Sequence, residues 1–105
     1  MMHWGDRLER DPAFVSRQIA GETILVPIRQ NMGDLESVYT LNEVGSRIWE
    51  LLEGSRTLGD IRDRLLEEFE AQPAEVERDL VTFLDHLRSI RAVRPAAAPL
   101  QEARP

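Results

Sequence analysis

Residues 19–54 read IAGETILVPIRQNMGDLESVYTLNEVGSRIWELLEG, and this stretch decides the fold. Residues 15–20 overlap the start of this stretch. A strand there would place Val15, Arg17 and Ile19 on one face and the residues between them on the other, a two-residue period that is typical of a half-buried strand. Residues 23–28 are rich in β-branched side chains and predict a strand that returns beside the first. Gly21 and Glu22 suit a two-residue type II′ turn between them. The start of the stretch therefore predicts a β-hairpin.

The rest of the stretch predicts a third strand that leads directly into a helix. A loop over 29–35 precedes the strand, which we place over Glu36–Leu41. Asn42 is a good N-cap, and apolar residues then recur at helical spacing. Gly54 suits the position that ends this helix. A sheet edge is thus expected beside a helix.

Two more helices follow. Thr57 and Asp60 form a capping-box pattern at the start of the second helix, and Pro73 suits the first turn of the third. The order βββααα predicts an α+β protein in which a three-stranded antiparallel sheet is followed by three helices, as in a winged helix-turn-helix. We expect a flexible segment over 1–13, one domain over 14–93 and a proline-rich disordered tail over 94–105.

Composition excludes several classes of protein. The chain has no cysteine, which excludes disulfides, zinc-thiolate sites and thiol catalysis. Its net charge of −6 disfavours general binding to nucleic acids and to anionic membranes. It has no long apolar run and no secretory signal, so we expect a cytoplasmic protein without membrane contact.

Candidate catalytic groups are few. His3 and His86 are far apart in the sequence, and two histidines alone do not make a metal site. Acidic residues of the second helix, such as Asp63 and Glu67, fall on its solvent side rather than forming a catalytic pair. There is no glycine-rich phosphate loop and no nucleophile elbow. We therefore predict that the protein is not an enzyme and holds neither a metal nor a cofactor.

A winged-helix DNA-binding regulator is an alternative that the predicted fold invites. Residues 58–70 contain five acids and two arginines, a net charge of −3, and residues 73–91 contain four acids and three arginines, a net charge of −1. Phosphates would repel both helices. A structural subunit of an enzyme complex is a further alternative.

The exposed edge of the third strand is the best candidate binding surface. An unpaired edge offers a row of backbone N–H and C=O groups to which an extended peptide can add. The third helix would flank that edge, and Tyr39 or Phe83 could form an apolar floor. Each of these two aromatic residues is equally well explained as a plain core residue.

The chain resembles the PqqD-like family of precursor-peptide recognition elements over roughly residues 15–93. The resemblance is carried by IAGETILVPI at 19–28, by VYTLNEVGSRIWELLEG at 38–54, by the T-x-x-D-I start at 57–61 and by DLVTFLDHL at 79–87. The chain departs from the quinone branch of the family in its longer loop over 29–36. It also lacks a glycine near Ile90, at the end of the third helix.

The resemblance implies a peptide chaperone. Such a protein binds the leader of a ribosomally made precursor and presents it to a modifying enzyme, such as a radical-SAM maturase or a leader peptidase. The product could be pyrroloquinoline quinone, a lasso peptide or another modified peptide, and the chaperone a monomer or a homodimer. Carried onto this sequence, the family's binding residues are Ser37, Val38, Tyr39, Thr40 and Leu41 on the strand, and Val76, Asp79, Leu80 and Phe83 on the third helix.

Overall fold

A computed structural model describes residues 2–28 and 38–96, which form two small antiparallel sheets and three helices. The elements in chain order are β1 (Arg7–Arg10), β2 (Phe14–Ile19), β3 (Glu22–Pro27), β4 (Tyr39–Leu41), α1 (Glu43–Leu51), β5 (Glu53–Thr57), α2 (Leu58–Glu68), α3 (Pro73–Ser89) and β6 (Val93–Pro95). The predicted α+β class is confirmed, and so is a three-stranded antiparallel sheet that precedes the three helices. The second sheet was not predicted.

The predicted hairpin is present, but its turn lies one residue earlier than expected. Strands β2 and β3 pair from Phe14 opposite Pro27 to Ile19 opposite Glu22. The two residues between them are Ala20, with φ 54°, and Gly21, with φ 84°. Positive φ at both central positions defines a type I′ turn, whose twist matches that of the strands, so the type II′ turn predicted at Gly21-Glu22 is wrong.

The third predicted strand is β4, and it lies at one edge of the sheet β2-β3-β4. It pairs antiparallel with β3, with Thr40 opposite Ile24. Within the described residues, the other edge of β4 has no strand beside it. The first part of the predicted strand, Glu36 and Ser37, and the loop over 29–36 lie outside the described residues.

The second sheet has the order β5-β1-β6 and joins the two ends of the described chain. It corrects both predicted domain boundaries, because β1 falls within the segment expected to be flexible and β6 extends into the expected tail. Leu8 and Val93 are each only 6 % exposed, so both strands contribute to the core. The sequence RLER of β1 has a single apolar residue, which is too little alternation to predict a strand.

The helices begin where the sequence predicts. The Asn42 side chain accepts a hydrogen bond of 2.7 Å from the Gly45 N–H, and Thr57 with Asp60 forms a complete capping box. The first helix ends earlier than expected, with Leu52 as its C-cap. Gly54 has φ 89° but belongs to β5, so its predicted role in ending the helix is wrong.

One apolar core unites the two sheets with the three helices. Its fully buried side chains come from β3 and from every helix and include Leu25, Ile48, Leu52, Ile61, Leu65, Leu80, Leu84 and Leu87. Burying one such side chain contributes about 1.5–3 kcal/mol, so this core holds the helices and sheets together. No helix in the described part of the chain is long and apolar enough to cross a membrane.

Candidate binding groove beside a strand edge

A groove with a volume of about 480 Å³ opens between α1 and α3. The first wall is formed by the start of α1, namely Asn42, Val44, Gly45 and Ile48. The second wall is one stripe of α3, namely Asp79, Thr82, Phe83 and His86. Asn42 directly follows β4, so the groove continues from the end of that strand.

An aromatic contact joins the edge strand to the same stripe of α3. The rings of Tyr39 and His86 meet edge to face, with centroids 5.7 Å apart and an interplanar angle of 80°. Edge-to-face geometry is a favourable arrangement for aromatic pairs. The contact places β4 beside α3, so a chain that pairs with β4 would also meet the side chains of the helix.

Gly45 allows α1 and α3 to approach closely at the groove. A Cβ atom built on Gly45 would lie 3.3 Å from two ring atoms of Phe83 and 3.2 Å from Asn42 Oδ1. These distances are tighter than ordinary van der Waals contacts, so a side chain at this position would displace the ring. The glycine therefore sets the position of Phe83 in the groove.

The predicted binding residues of the strand differ in how far they are exposed. Val38 and Thr40 are exposed, Tyr39 is half-buried and Leu41 is buried with 6 % exposure. Leu41 therefore anchors β4 to the core. Ser37 lies outside the described residues.

The predicted residues of α3 divide into two groups. Asp79 and Phe83 line the groove. Leu80 is fully buried and Val76 is 7 % exposed, so both are core residues. Neither residue lines the groove itself, but both line a smaller cavity that is continuous with it.

Sequence reasoning missed several residues of the groove. Thr82 and His86 fall on the same stripe as Asp79, at helical spacings of three and seven residues. This stripe borders the apolar stripe of α3 that faces the core. The helical period of the sequence alone does not show where one stripe ends and the other begins. The approach of Gly45 to Phe83 joins residues far apart in the sequence, so no local signal indicates it.

A second cavity, of about 250 Å³, lies between all three helices and shares Val44, Ile48 and Asp79 with the groove. Its remaining lining comes from α2, from the α2–α3 connection and from the start of α3, and includes Leu65, Phe69, Glu70, Ala71, Glu75, Val76 and Leu80. The two cavities are therefore continuous along α3.

Ion pairs outside the groove hold its supporting helices together. Arg47 of α1 donates two hydrogen bonds of 2.8 Å to the Glu68 carboxylate of α2. These bonds lower the pKa of Glu68 and, together with the bond to Glu50, raise the pKa of Arg47. The N–H and hydroxyl of Thr57 likewise lower the pKa of Asp60 in the capping box.

The groove has the chemistry of a binding surface. Its polar groups are a carboxylate, an amide, a hydroxyl and one imidazole, and its floor is apolar. Across the described residues, no group of three or more histidine or carboxylate side chains is arranged to hold a metal ion. A backbone edge next to an apolar floor suits recognition of an extended chain.

Comparisons with known proteins agree with this fold. The family model of coenzyme PQQ synthesis protein D (PqqD) matches residues 22–93, which is more than half of the chain. The protein belongs to the PqqD family. No curated protein matches the chain.

Two solved structures are similar to this protein. TbiB1, in complex with the TbiA(beta) leader peptide, has a TM-score of 0.70 and 31 % identity, over 86 % of this chain and 99 % of that one. Lasso peptide synthetase B1, complexed with the leader peptide, has a TM-score of 0.70 and 19 % identity, over 85 % of this chain and 99 % of that one. The second likeness concerns the fold alone.

Proposed function

We propose that this protein is a non-catalytic adaptor that binds the leader of a ribosomally made precursor peptide. The observation that carries the proposal is the outer edge of β4, which has no strand beside it among the described residues and which the Tyr39–His86 contact joins to α3. The family membership supports it, as does the similarity to TbiB1, a protein that is described with a leader peptide bound.

The leader adds to β4 as a further strand. Backbone hydrogen bonds to Tyr39–Leu41 supply affinity that depends little on sequence, because every residue except proline carries the same donor and acceptor. The pairing between the leader and the outer edge of β4 ends where α1 begins, so the leader continues into the groove. There its side chains meet Phe83 and its neighbours on α3, and these contacts supply selectivity.

The adaptor then presents the precursor to a modifying enzyme, such as a radical-SAM maturase or a leader peptidase, in the cytoplasm where the precursor is made. A leader held at the edge of a rigid sheet leaves the remainder of the precursor free to enter an enzyme. The acidic helices argue against the alternative of a DNA-binding regulator, since phosphates repel them.

Calorimetric titration tests the binding step. The probes are the synthetic TbiA(beta) leader and the leaders of short peptides encoded beside the gene for this chain, each with a scrambled control. We expect one of these leaders to bind with a defined stoichiometry while its scrambled form does not. Equal heats for the leaders and their scrambled forms would contradict the proposal.

Mass spectrometry tests the adaptor step. The bound precursor should keep its mass when incubated with this protein alone. It should be modified when the neighbouring enzyme is added, and much more slowly when this protein is left out. A mass change produced by this protein alone would show that it is a catalyst.

A further inference from the structure

The second cavity lies at the end of the groove opposite Tyr39. Tyr39 contacts His86, in the C-terminal half of α3, whereas the cavity is lined by residues between Glu75 and Leu80, near the start of that helix. The groove and the cavity meet at Asp79. A peptide that pairs with β4 and continues along α3 therefore reaches the cavity beyond the paired segment.

The cavity has apolar walls and an acidic rim. Val44 and Phe69 are among the apolar side chains of its walls, and Glu70, Glu75 and Asp79 supply three carboxylates. The lining contains no arginine or histidine. Among the residues that the structure describes, neither Glu70 nor Glu75 forms a salt bridge, and Asp79 only approaches its exposed neighbour Arg78, at 3.9 Å.

We propose that this cavity receives a basic side chain of the leader, an arginine or a lysine, at one fixed position beside the strand that pairs with β4. The inference rests on the proposed function and names the specificity of the same groove. A basic side chain combines an aliphatic stem with a charged end, so the stem lies along the apolar walls while the charge stays at the wet rim. An acidic side chain would be repelled there.

The charge distribution favours a basic group over an uncharged one. A neutral apolar side chain would contact the walls but gain nothing from the three carboxylates. An arginine or lysine gains both the contact with the walls and the attraction to the carboxylates. Charge pairs across an interface also speed association. The cavity of about 250 Å³ has room for one long side chain.

Selection from a random peptide display library tests the inference without knowledge of the natural leader. The full chain is the target, in about 0.15 M salt, where a Debye length of about 8 Å limits unspecific attraction to an acidic protein. The test variant is Glu70→Gln with Glu75→Gln. The control is Asp85→Asn, which removes an exposed carboxylate from α3 outside the cavity.

We expect the wild type and the Asp85→Asn control to enrich peptides with arginine or lysine at one fixed position next to a strand-forming segment. The double variant should enrich the strand-forming segment without that preference. In a selected peptide, replacing the arginine by glutamine should weaken binding to the wild type about threefold to tenfold, and to the double variant less than about twofold.

Two results would overturn the inference and leave the proposed function in place. The first is a leucine, phenylalanine or acidic residue at the fixed position. The second is a basic preference that survives in the double variant. Failure to enrich any peptide whose binding depends on β4 would count against the proposed function as well as against this inference. Circular dichroism of each variant shows that the helices remain folded.

Discussion

The β2-β3-β4 sheet has two outer edges, and they differ in what lies beside them. Strand β2 is exposed at every residue after Phe14, on both faces of the sheet. Strand β4 is tied to the core by Leu41 and lies against α3 through Tyr39. Among the described residues, neither outer edge has a further strand beside it, and the edge of β4 is the one that an aromatic pair joins to α3.

The difference shows why a free edge alone does not make a specific peptide site. Backbone groups of β2 offer the same hydrogen bonds as those of β4, but β2 is exposed on both faces and none of its residues lines the groove. Beside β4, Phe83 and Asp79 line a groove in which a peptide that paired with this edge would meet an apolar ring and a charge. Affinity can come from either edge, whereas selectivity requires the helix.

The largest expected effect is a loss in the free energy of unfolding when the edge strand β4 is detached from the core. Leu41→Ala, in β4, should lower the free energy of unfolding by about 2–4 kcal/mol, since it removes a buried side chain and leaves a cavity. Ile19→Ala, in β2, should lower it by about 0.5 kcal/mol or less, because Ile19 is 56 % exposed. Urea denaturation measures both values, and equal losses would contradict the comparison.

A proline scan distinguishes the two edges by peptide binding. Successive N–H groups of a strand point to opposite edges, so one of Tyr39 and Thr40 donates toward the free edge of β4. Proline at that position should weaken leader binding about fivefold to tenfold, the value of one net hydrogen bond, with the helices intact. Calorimetry measures the affinity.

The matched control for the scan is the other edge. Proline at Arg17 or at Gln18 removes the corresponding donor from β2, the strand at the opposite edge of the sheet. Leader affinity should stay unchanged in whichever of these two variants retains a folded sheet. A loss of binding there that equals the loss in the β4 variant would place the leader on the wrong edge.

Substitutions of Asn42 test the connection between β4 and α1. Asn42→Ala removes the cap of α1 and should lower the free energy of unfolding by about 1 kcal/mol. Asn42→Ser keeps a side-chain acceptor and should restore most of that loss. Thermal unfolding compares the two variants, and equal melting temperatures would show that the cap contributes nothing.

The smallest expected effect comes from Gly45→Ala. The added methyl group crowds Phe83, while alanine also favours the helix, so stability should change by about 1 kcal/mol or less. Leader affinity should fall about twofold to fivefold, because the ring moves in the groove. Gly5→Ala is the control, since a Cβ there has open space around it. Unchanged affinity for Gly45→Ala would mean that Phe83 does not touch the leader.

The hairpin and the helices were predictable because their signals are local. Asn42, Thr57 and Pro73 mark the starts of helices through their own backbone chemistry, and the structure confirms each. Strands β1 and β6 were missed, because their pairing joins the two ends of the chain and their sequences are short and charged. Contacts between distant residues leave no periodic trace.

The candidate site was predictable only in outline. The position of β4 directly before a helix predicts the edge strand, and the apolar period of residues 73–90 predicts α3. The period did not separate Leu80, which faces the core, from Phe83, which lines the groove, because both lie within one broad apolar face. His86 was considered only as a metal ligand, whereas its ring contacts Tyr39.

Amide hydrogen exchange with and without a bound leader tests the central claim most directly. Exchange reports the protection of each backbone N–H, and an added strand protects the donors that face it. On leader binding, we expect protection to rise within Tyr39–Leu41 and to stay unchanged within Phe14–Ile19. Increased protection in β2 with no change in β4 would contradict it.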